Sequence, residues 1–458
     1  MKSGGGGTMR LGAPARRRAV LSAKRKTAVL PFVVALAATT TSGFRFVVLP
    51  KNQKNHRFHS ASLSSSANDR TSNDRVDIGE DIRSSAGRPQ SPLLIDDDDK
   101  GSVSFAELQQ PQPKGGAKAP LLLKPIPDPT ADPADDGMRW MRDRAPWVHT
   151  FMRDSGLARL YADVWIVIGI PLLAIANPKA WNVFWSLSSA STTTISYGPH
   201  RYQTMDIYEP EMLRQSNQDP SSSHNNNNKK TIAICHGGAW GSGRPWMYRL
   251  AAVPFLVHSY NKVVVWGYRT YPDGNAADQV EDLMAALKVL EETDDDVTLV
   301  GHSSGAHIAL STVLRYSPPQ PEQGKKKKKL CKNLVLLAGC YDIGSHFEWE
   351  TGRGVEQISA MQMACAPFDE WSPALISSDS VHLATACDNI YLLHGELDTV
   401  VPYTSTLNVT ETLVRSNNDT NIDCEILRNR GHADLITDFM FDEGGDTADR
   451  VLKWLQDK

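Results

Sequence analysis

The stretch Val297-Thr298-Leu299-Val300-Gly301-His302-Ser303-Ser304-Gly305-Ala306-His307 constrains this chain more than any other. Val297, Leu299 and Val300 read as the end of a buried strand, and Ala306 to Arg315 as a helix. Between them, Gly301-His302-Ser303-Ser304-Gly305 fits the G-x-S-x-G pattern, which needs a strand, a sharp turn and a helix around it. Such a turn holds its serine in a strained backbone conformation, so that Oγ projects above a sheet. Gly301 and Gly305 fall where a Cβ would collide with the neighbouring strand or helix. The helix start after Ser303 aims free N–H groups at any oxyanion formed beside it.

A regular alternation surrounds this turn from about residue 190 onward. Thr193 to Tyr197 and Tyr202 to Tyr208 read as a strand pair. Thr231 to Cys235, Lys262 to Trp266, Leu334 to Leu337, Ile390 to Leu393 and Cys424 to Leu427 read as further strands. Val280, Leu283, Met284, Leu287 and Leu290 recur at helical spacing and predict an amphipathic helix over 276–292. Thr447 to Gln456 reads as a last helix that closes the sheet. Strands alternating with helices predict an α/β fold with a doubly wound, mostly parallel sheet. Residues 342–376 lack a strand pattern, carry several aromatics and read as a lid. Asn217 to Lys230 and Pro318 to Lys329 are polar insertions, hence surface loops. The run Lys325 to Lys329 suits a solvated loop or, less simply, contact with an anionic membrane.

Acyl transfer at a serine needs a base, a group that orients the base and an oxyanion hole. In this architecture the acid and then the histidine follow the nucleophile along the chain. Leu392-Leu393-His394-Gly395-Glu396-Leu397-Asp398 puts Asp398 just past a strand end. Arg430-Gly431-His432-Ala433-Asp434 puts His432 just past the final strand. Their 34-residue spacing leaves room for one helix and one strand. Glu396 competes with Asp398 as the acid, and Asp342 does so more weakly. Among thirteen histidines, His302 and His307 are locked into the turn and its helix, and His394 reads as a packing residue. His236-Gly237-Gly238-Ala239-Trp240 follows the strand expected beside the serine strand. Its small residues let backbone N–H groups approach a substrate oxygen, so Gly238, Ala239 and Ser304 are the candidate oxyanion donors. His236 reads as a brace for that loop, and Gly237, Trp240, Phe347 and Trp349 as candidate substrate-lining residues.

The rest of the chain reads as address and linker. Its formal net charge of -3 argues against a nucleic-acid partner. Residues 1–68 hold twelve Lys or Arg and no Asp or Glu, with an apolar run from Ala28 to Ala38. They read as a targeting region: a signal peptide or anchor, with a plastid transit segment as an addition. Residues 69–136 are polar and rich in Pro, Ser and Asp, and read as disordered linker. Within them, Asp96 to Glu107 resembles a calcium-binding EF-hand loop, except that Lys100 stands at its fifth position and Pro111 stops the exiting helix. Residues 137–189 read as an apolar, helical, membrane-associated region. Its core, Val164 to Ala176, is thirteen uncharged residues, too short for a perpendicular span at about 1.5 Å per residue. A re-entrant membrane segment and a packed helical cap both fit. Six cysteines show no C-x-x-C spacing and suit single buried thiols better than a disulfide framework. Asn408-Val409-Thr410 and Asn418-Asp419-Thr420 are glycosylation sequons.

Four motifs together resemble the isoprenylcysteine alpha-carbonyl methylesterases, α/β-hydrolases of the carboxylesterase and lipase-like group. They are Gly301-His302-Ser303-Ser304-Gly305, His236-Gly237-Gly238-Ala239-Trp240, Tyr268-Arg269-Thr270-Tyr271-Pro272 and Asp398-Thr399-Val400-Val401-Pro402. Trp371-Ser372-Pro373 resembles a further feature of that family. The resemblance covers about 190–458. It implies a Ser303–Asp398–His432 triad, no cofactor and no metal, and a small-molecule or prenylated-protein methyl ester as substrate. It also implies association with a membrane surface in the endomembrane system. The triad motif is shared with arylformamidases and broad carboxylesterases, which remain alternatives. A catalytically dead hydrolase fold serving as a binding protein would need a lost triad residue, and none is lost.

Overall fold

The computed structural model describes residues 101–109, 123–131, 135–160, 164, 177–189, 193–213, 230–258, 260–291, 296–316, 329–376, 386–416, 419–441 and 445–456. The targeting region, residues 217–229 and 318–328 of the polar insertions, Asn418 of the second sequon, and nearly all of the apolar run lie outside them.

Nine strands form one sheet: β1 (Ser102–Ser104), β2 (Thr193–Ser196), β3 (Thr204–Tyr208), β4 (Lys230–Cys235), β5 (Lys262–Trp266), β6 (Asp296–His302), β7 (Asn333–Leu337), β8 (Asn389–Gly395) and β9 (Asn421–Leu427). Their order is β1-β9-β8-β7-β6-β4-β5-β3-β2. From β5 to β9 every neighbouring pair is parallel. β3 and β2 extend one side antiparallel. The central strands are nearly all buried because helices cover both faces, as a parallel sheet requires.

The period-2 alternation of each strand divides the core in two. On one face Ala233, Val264, Leu299, Leu334, Leu336, Ile390 and Leu392 pack against the helices Ala276–Glu291, Ser304–Arg315 and Thr404–Ser416. On the other, Ile232, Val263, Val300, Val335, Tyr391 and Leu393 pack against residues 251–256 and the helices Asp434–Phe441 and Asp446–Gln456. The last helix lies on a face of the sheet instead of extending it. All six cysteines are buried free thiols.

One expectation needs correction. The expected linker is not wholly linker: β1 pairs antiparallel with β9, Ser102 opposite Leu427, so the sheet recruits chain from outside 190–458. β1 is short, so its pairing covers only Glu425, Ile426 and Leu427 of the β9 edge. The one-turn helix Phe105–Leu108 follows it. Glu107, the twelfth residue of the EF-hand-like stretch, closes a capping box. Its carboxylate accepts the Ser104 N–H at 2.7 Å. Asp96 to Lys100 lie outside the described residues.

The expected membrane-associated region, 137–189, is described only in part. Helices Asp136–Arg144 and Pro146–Asp154 lie before the apolar run, and Pro178–Ser189 after it. Leu187 of the last is fully buried in the second core cluster, so this helix packs on the domain instead of leaving it. No helix among the described residues is long and apolar enough to cross a membrane. The expected lid, 342–376, carries the helices Ile343–Arg353 and Met361–Ala364, and its Ile343, Met361 and Cys365 join the core.

Candidate active site

Ser303 sits between the end of β6 and the helix Ser304–Arg315, with φ 57° and ψ −127°. Few non-glycine residues adopt this conformation, and here the surroundings enforce it. A Cβ on Gly305 would lie 2.4 Å from the Cys235 carbonyl oxygen, and one on Gly301 would lie 2.6 Å from Ala306 Cα. Strand and helix therefore meet closer than any side chain allows. The Ser303 N–H donates to Leu337 O at 2.9 Å, tying the turn to the neighbouring strand.

Ser303, His432 and Asp398 are brought together from three loops at the same edge of the sheet. His432 Nε2 lies 2.9 Å from Ser303 Oγ. Its Nδ1 lies 2.7 Å from Asp398 Oδ2. Asp398 is fully buried, which by itself pushes its pKa up. The neighbouring His432 and hydrogen bonds from His394 and His432 outweigh burial and hold it well below the usual carboxylate range. Oδ1 accepts the N–H of Val400 at 2.9 Å and of Val401 at 2.8 Å. A serine hydroxyl, an imidazole and a buried carboxylate in this chain can pass the serine proton to the imidazole and stabilise the resulting cation.

The rival acids are committed elsewhere. Glu396 accepts the Lys124 N–H at 2.8 Å and the Asn429 N–H at 3.2 Å, bracing residues 123–131 against the loop. Asp342 caps the helix Ile343–Arg353 by accepting the Ser345 N–H at 2.9 Å.

The loop after β4 lies against Ser303. Positive φ runs through Gly238 (137°), Ala239 (48°) and Trp240 (58°), folding the backbone tightly back on itself. A Cβ on Gly237 would lie 2.9 Å from Ser303 Cβ, so only glycine permits this approach. Three hydrogen bonds link this loop to the base. The Gly237 N–H donates to Tyr248 Oη at 2.9 Å. That hydroxyl donates to His302 Nδ1 at 2.8 Å, and His302 Nε2 donates to His432 O at 3.2 Å. His302 is held neutral by burial first and by the nearby His432 second, its pKa lowered to about 3. His236 braces the loop as expected, donating from Nδ1 to Gly237 O at 2.8 Å.

Residues 219–413 match the family model BD-FAE. Two curated plant proteins are similar, both described as probable isoprenylcysteine alpha-carbonyl methylesterase ICMEL1. The one from Oryza sativa subsp. japonica is 23% identical over 239 residues, covering 48% of this chain and 52% of the relative. The one from Arabidopsis thaliana is 23% identical over 238 residues, covering 48% and 47%. The chain thus spans about half the length of the curated relatives it matches. Similar solved structures include esterase B from Lactobacillus rhamnosis, at 15% identity and TM-score 0.45, covering 65% of this chain and 95% of that one. Carboxyl esterase 2 from Tuber melanosporum matches at 18% identity and TM-score 0.41, covering 55% and 78%.

The chain is similar to esterase-like α/β-hydrolases over its sheet domain.

One expected site residue lies elsewhere. Trp240 does not line a mouth: it is 2% exposed and turned into the core. Its Nε1 donates to His307 Nδ1 at 3.0 Å, and His307 Nε2 donates to Trp371 O at 2.8 Å. A positive φ reverses the side a residue faces, and the alternation of an extended loop no longer applies. The Tyr268-Arg269 motif is likewise structural. Tyr268 Oη donates to His236 O at 2.9 Å, and Arg269 pairs at 2.8 Å with the buried Asp282. Ser372 of the Trp371-Ser372-Pro373 stretch accepts the Ile343 N–H at 2.9 Å and so seats the lid helix. From that helix Trp349 reaches the acid loop, donating to Thr399 O at 3.0 Å, while Phe347 packs on Phe368 with ring centroids 5.4 Å apart.

Two residues at the site escape sequence reasoning. Tyr248 lies in a 3₁₀ segment with no motif of its own. His394, read as packing, is hydrogen-bonded to Asp398. Its position four residues before the acid, on the end of a strand, was the available signal. Among the described residues, no group of three or more His, Cys, Asp or Glu side chains is placed to hold a metal ion.

Proposed function

We propose that the chain is a serine carboxylesterase that cleaves a carboxylic methyl ester, with the carboxyl group of an isoprenylcysteine as the preferred acyl part. The observation that carries the reaction class is the Ser303–His432–Asp398 chain, with separations of 2.9 and 2.7 Å. Ser303 Oγ attacks the ester carbonyl while His432 Nε2 takes the hydroxyl proton. Asp398 stabilises the imidazolium and keeps Nδ1 as the donor. The N–H groups of Gly238, Ala239 and Ser304 receive the tetrahedral oxyanion. Collapse breaks the bond to the alkoxide, which leaves as alcohol with the proton from His432. Water, deprotonated by His432, then attacks the acyl-enzyme and releases the acid and free Ser303.

The descriptions of the plant relatives and the four motifs that resemble that family support the substrate class. Phe347 and Trp349 add apolar surface on the lid helix beside the acid loop. Exposed Trp140, Trp147 and Phe151 on the two helices before the apolar run support contact with a membrane surface, where a prenylated substrate resides.

The test is kcat/KM of the purified chain for farnesylcysteine methyl ester, its analogue shortened by one isoprene unit, N-formylkynurenine and p-nitrophenyl esters of graded length. Each buried methylene contributes roughly 0.8 kcal/mol, so losing an isoprene unit lowers kcat/KM by well over tenfold if a pocket holds the chain. A flat profile from acetyl esters to farnesylcysteine methyl ester contradicts the prenyl assignment and leaves a broad esterase. Preference for N-formylkynurenine makes the protein an arylformamidase.

A further inference from the structure

Every lone pair of the Asp398 carboxylate is used. Two backbone N–H groups bind Oδ1, and His432 Nδ1 takes one side of Oδ2. The remaining partner of Oδ2 is a second imidazole: His394 Nε2, at 3.0 Å. His394 is the penultimate residue of β8 and is itself fully buried. The same Nε2 lies 2.9 Å from Val401 O, and Nδ1 lies 2.7 Å from Thr406 Oγ1 on the helix Thr404–Ser416.

These partners fix the tautomer. Nε2 faces a carboxylate and a carbonyl, both acceptors only, so it carries the hydrogen. Nδ1 then accepts the Thr406 hydroxyl hydrogen. The ring is wedged between the acid and the first turn of the next helix. Its single N–H reaches Asp398 and also Val401, whose own N–H holds the opposite carboxylate oxygen. One imidazole thereby closes residues 398–401 around the anion.

We propose that His394 is a positioning residue for the reaction, holding the Asp398 carboxylate ionised and in the orientation that His432 requires. The inference rests on the reading of Asp398 as the group that orients His432. Removing the donor leaves one lone pair of a buried anion unsatisfied, which is costly. The carboxylate then gains by rotating or by taking up a proton, and either event weakens its hold on His432 Nδ1. The charged and titratable groups around His394 are Asp398, His432 and His302, all within electrostatic reach.

The test compares His394→Leu with His394→Gln in the full chain. The glutamine amide nitrogen stands near the place of Nε2 and retains a donor. His394→Leu is expected to lower kcat by about 10- to 100-fold, as loss of a partner behind a metal-bound imidazole does, with KM little changed. The acid limb of its pH profile moves, and the downfield proton signal of the His432–Asp398 bond shifts or broadens. His394→Gln restores most of the lost rate and the signal. Neither variant lowers kcat further once Asp398→Asn is present, because His394 acts through that carboxylate. The proposal is overturned if folded His394→Leu matches the wild type, if Gln is no better than Leu, or if the losses add in the double variant. Should His394→Leu not fold, the Gln variant, its double variant and the proton signal still decide. A mild Asp398→Asn variant refutes the underlying reading instead.

Discussion

The loops after β4 and after β8 flank Ser303 on the same edge of the sheet, and they are built in opposite ways. Residues 236–243 are shaped by backbone. Gly238, Ala239, Trp240 and Gly243 all have positive φ, and the loop's proposed product is a set of N–H groups for the oxyanion. Residues 395–403 are shaped by hydrogen bonds converging on one anion. Val400 and Val401 donate from within the loop, His394 from the strand before it, and His432 from 34 residues further on. A loop that offers amides must bend its own chain. A loop that offers a carboxylate must collect donors from elsewhere. The first therefore fails by steric change, the second by loss of a partner.

The largest expected effect separates two carboxylates within the second loop. Asp398→Asn keeps the shape but favours the wrong His432 tautomer, lowering kcat on the order of 10⁴-fold, as in serine-protease triads. Glu396→Gln leaves kcat nearly unchanged and lowers stability by about 1–3 kcal/mol, because two backbone donors lose a charged acceptor. Steady-state kinetics with urea unfolding of both variants check this. A damaged kcat in Glu396→Gln with a mild Asp398→Asn reverses the assignment.

The first loop is tested by Gly238→Ala. The added Cβ would lie 2.3 Å from Ser242 O on a backbone with φ 137°, so the loop must move. Displacing an oxyanion donor costs about 10²–10³-fold in kcat. Single-turnover acylation measures the loss, and an unchanged acylation rate would remove this loop from the oxyanion site.

Acid separates the two loops by pH. His236 and His302 behind the first loop, with His307 beneath Trp240, are neutral in the fold because burial lowers their pKa values to about 4, 3 and 4. Their ordinary value is near 6.5, so the unfolded chain takes up protons that the fold refuses. Their stabilising contribution is complete above pH 6.5 and falls as pH drops toward 4, by on the order of 1 kcal/mol per pH unit each. Asp398 has the opposite chemistry and a lower window. Its depressed pKa stabilises the fold above the usual carboxylate range, and that contribution is lost only below it. Melting temperatures from pH 7.5 to 4.5 should fall, with a shallower slope in His307→Gln. A flat profile contradicts buried neutral histidines.

The smallest effect expected on catalysis is that of Trp240→Phe. It removes the bond to His307 and some core contact, costing about 1–3 kcal/mol of stability, while kcat and KM stay near wild type. A large KM change would return Trp240 to the substrate path.

The elbow, the strands of the parallel sheet and the order Ser303, Asp398, His432 are legible in the sequence, because steric and periodic rules act over few residues. Gly301 and Gly305 announce a close approach, and alternating apolar residues announce buried strands. What depends on distant partners is not legible. Nothing local says that Ser102–Ser104 joins β9, since three residues carry no period. The spacing of His394 from Asp398 puts it near the acid, but nothing local distinguishes a packed ring from one that donates to it. Trp240 looks like pocket lining until the positive φ beside it turns the indole into the core.

Covalent capture at Ser303 tests the central claim most directly. After incubation with a fluorophosphonate, intact mass and peptide mapping of the full chain should show one adduct, on the Ser303 peptide. Folded Ser303→Ala should show no adduct and no ester turnover. An adduct on another serine, or esterase activity that persists in Ser303→Ala, contradicts the account.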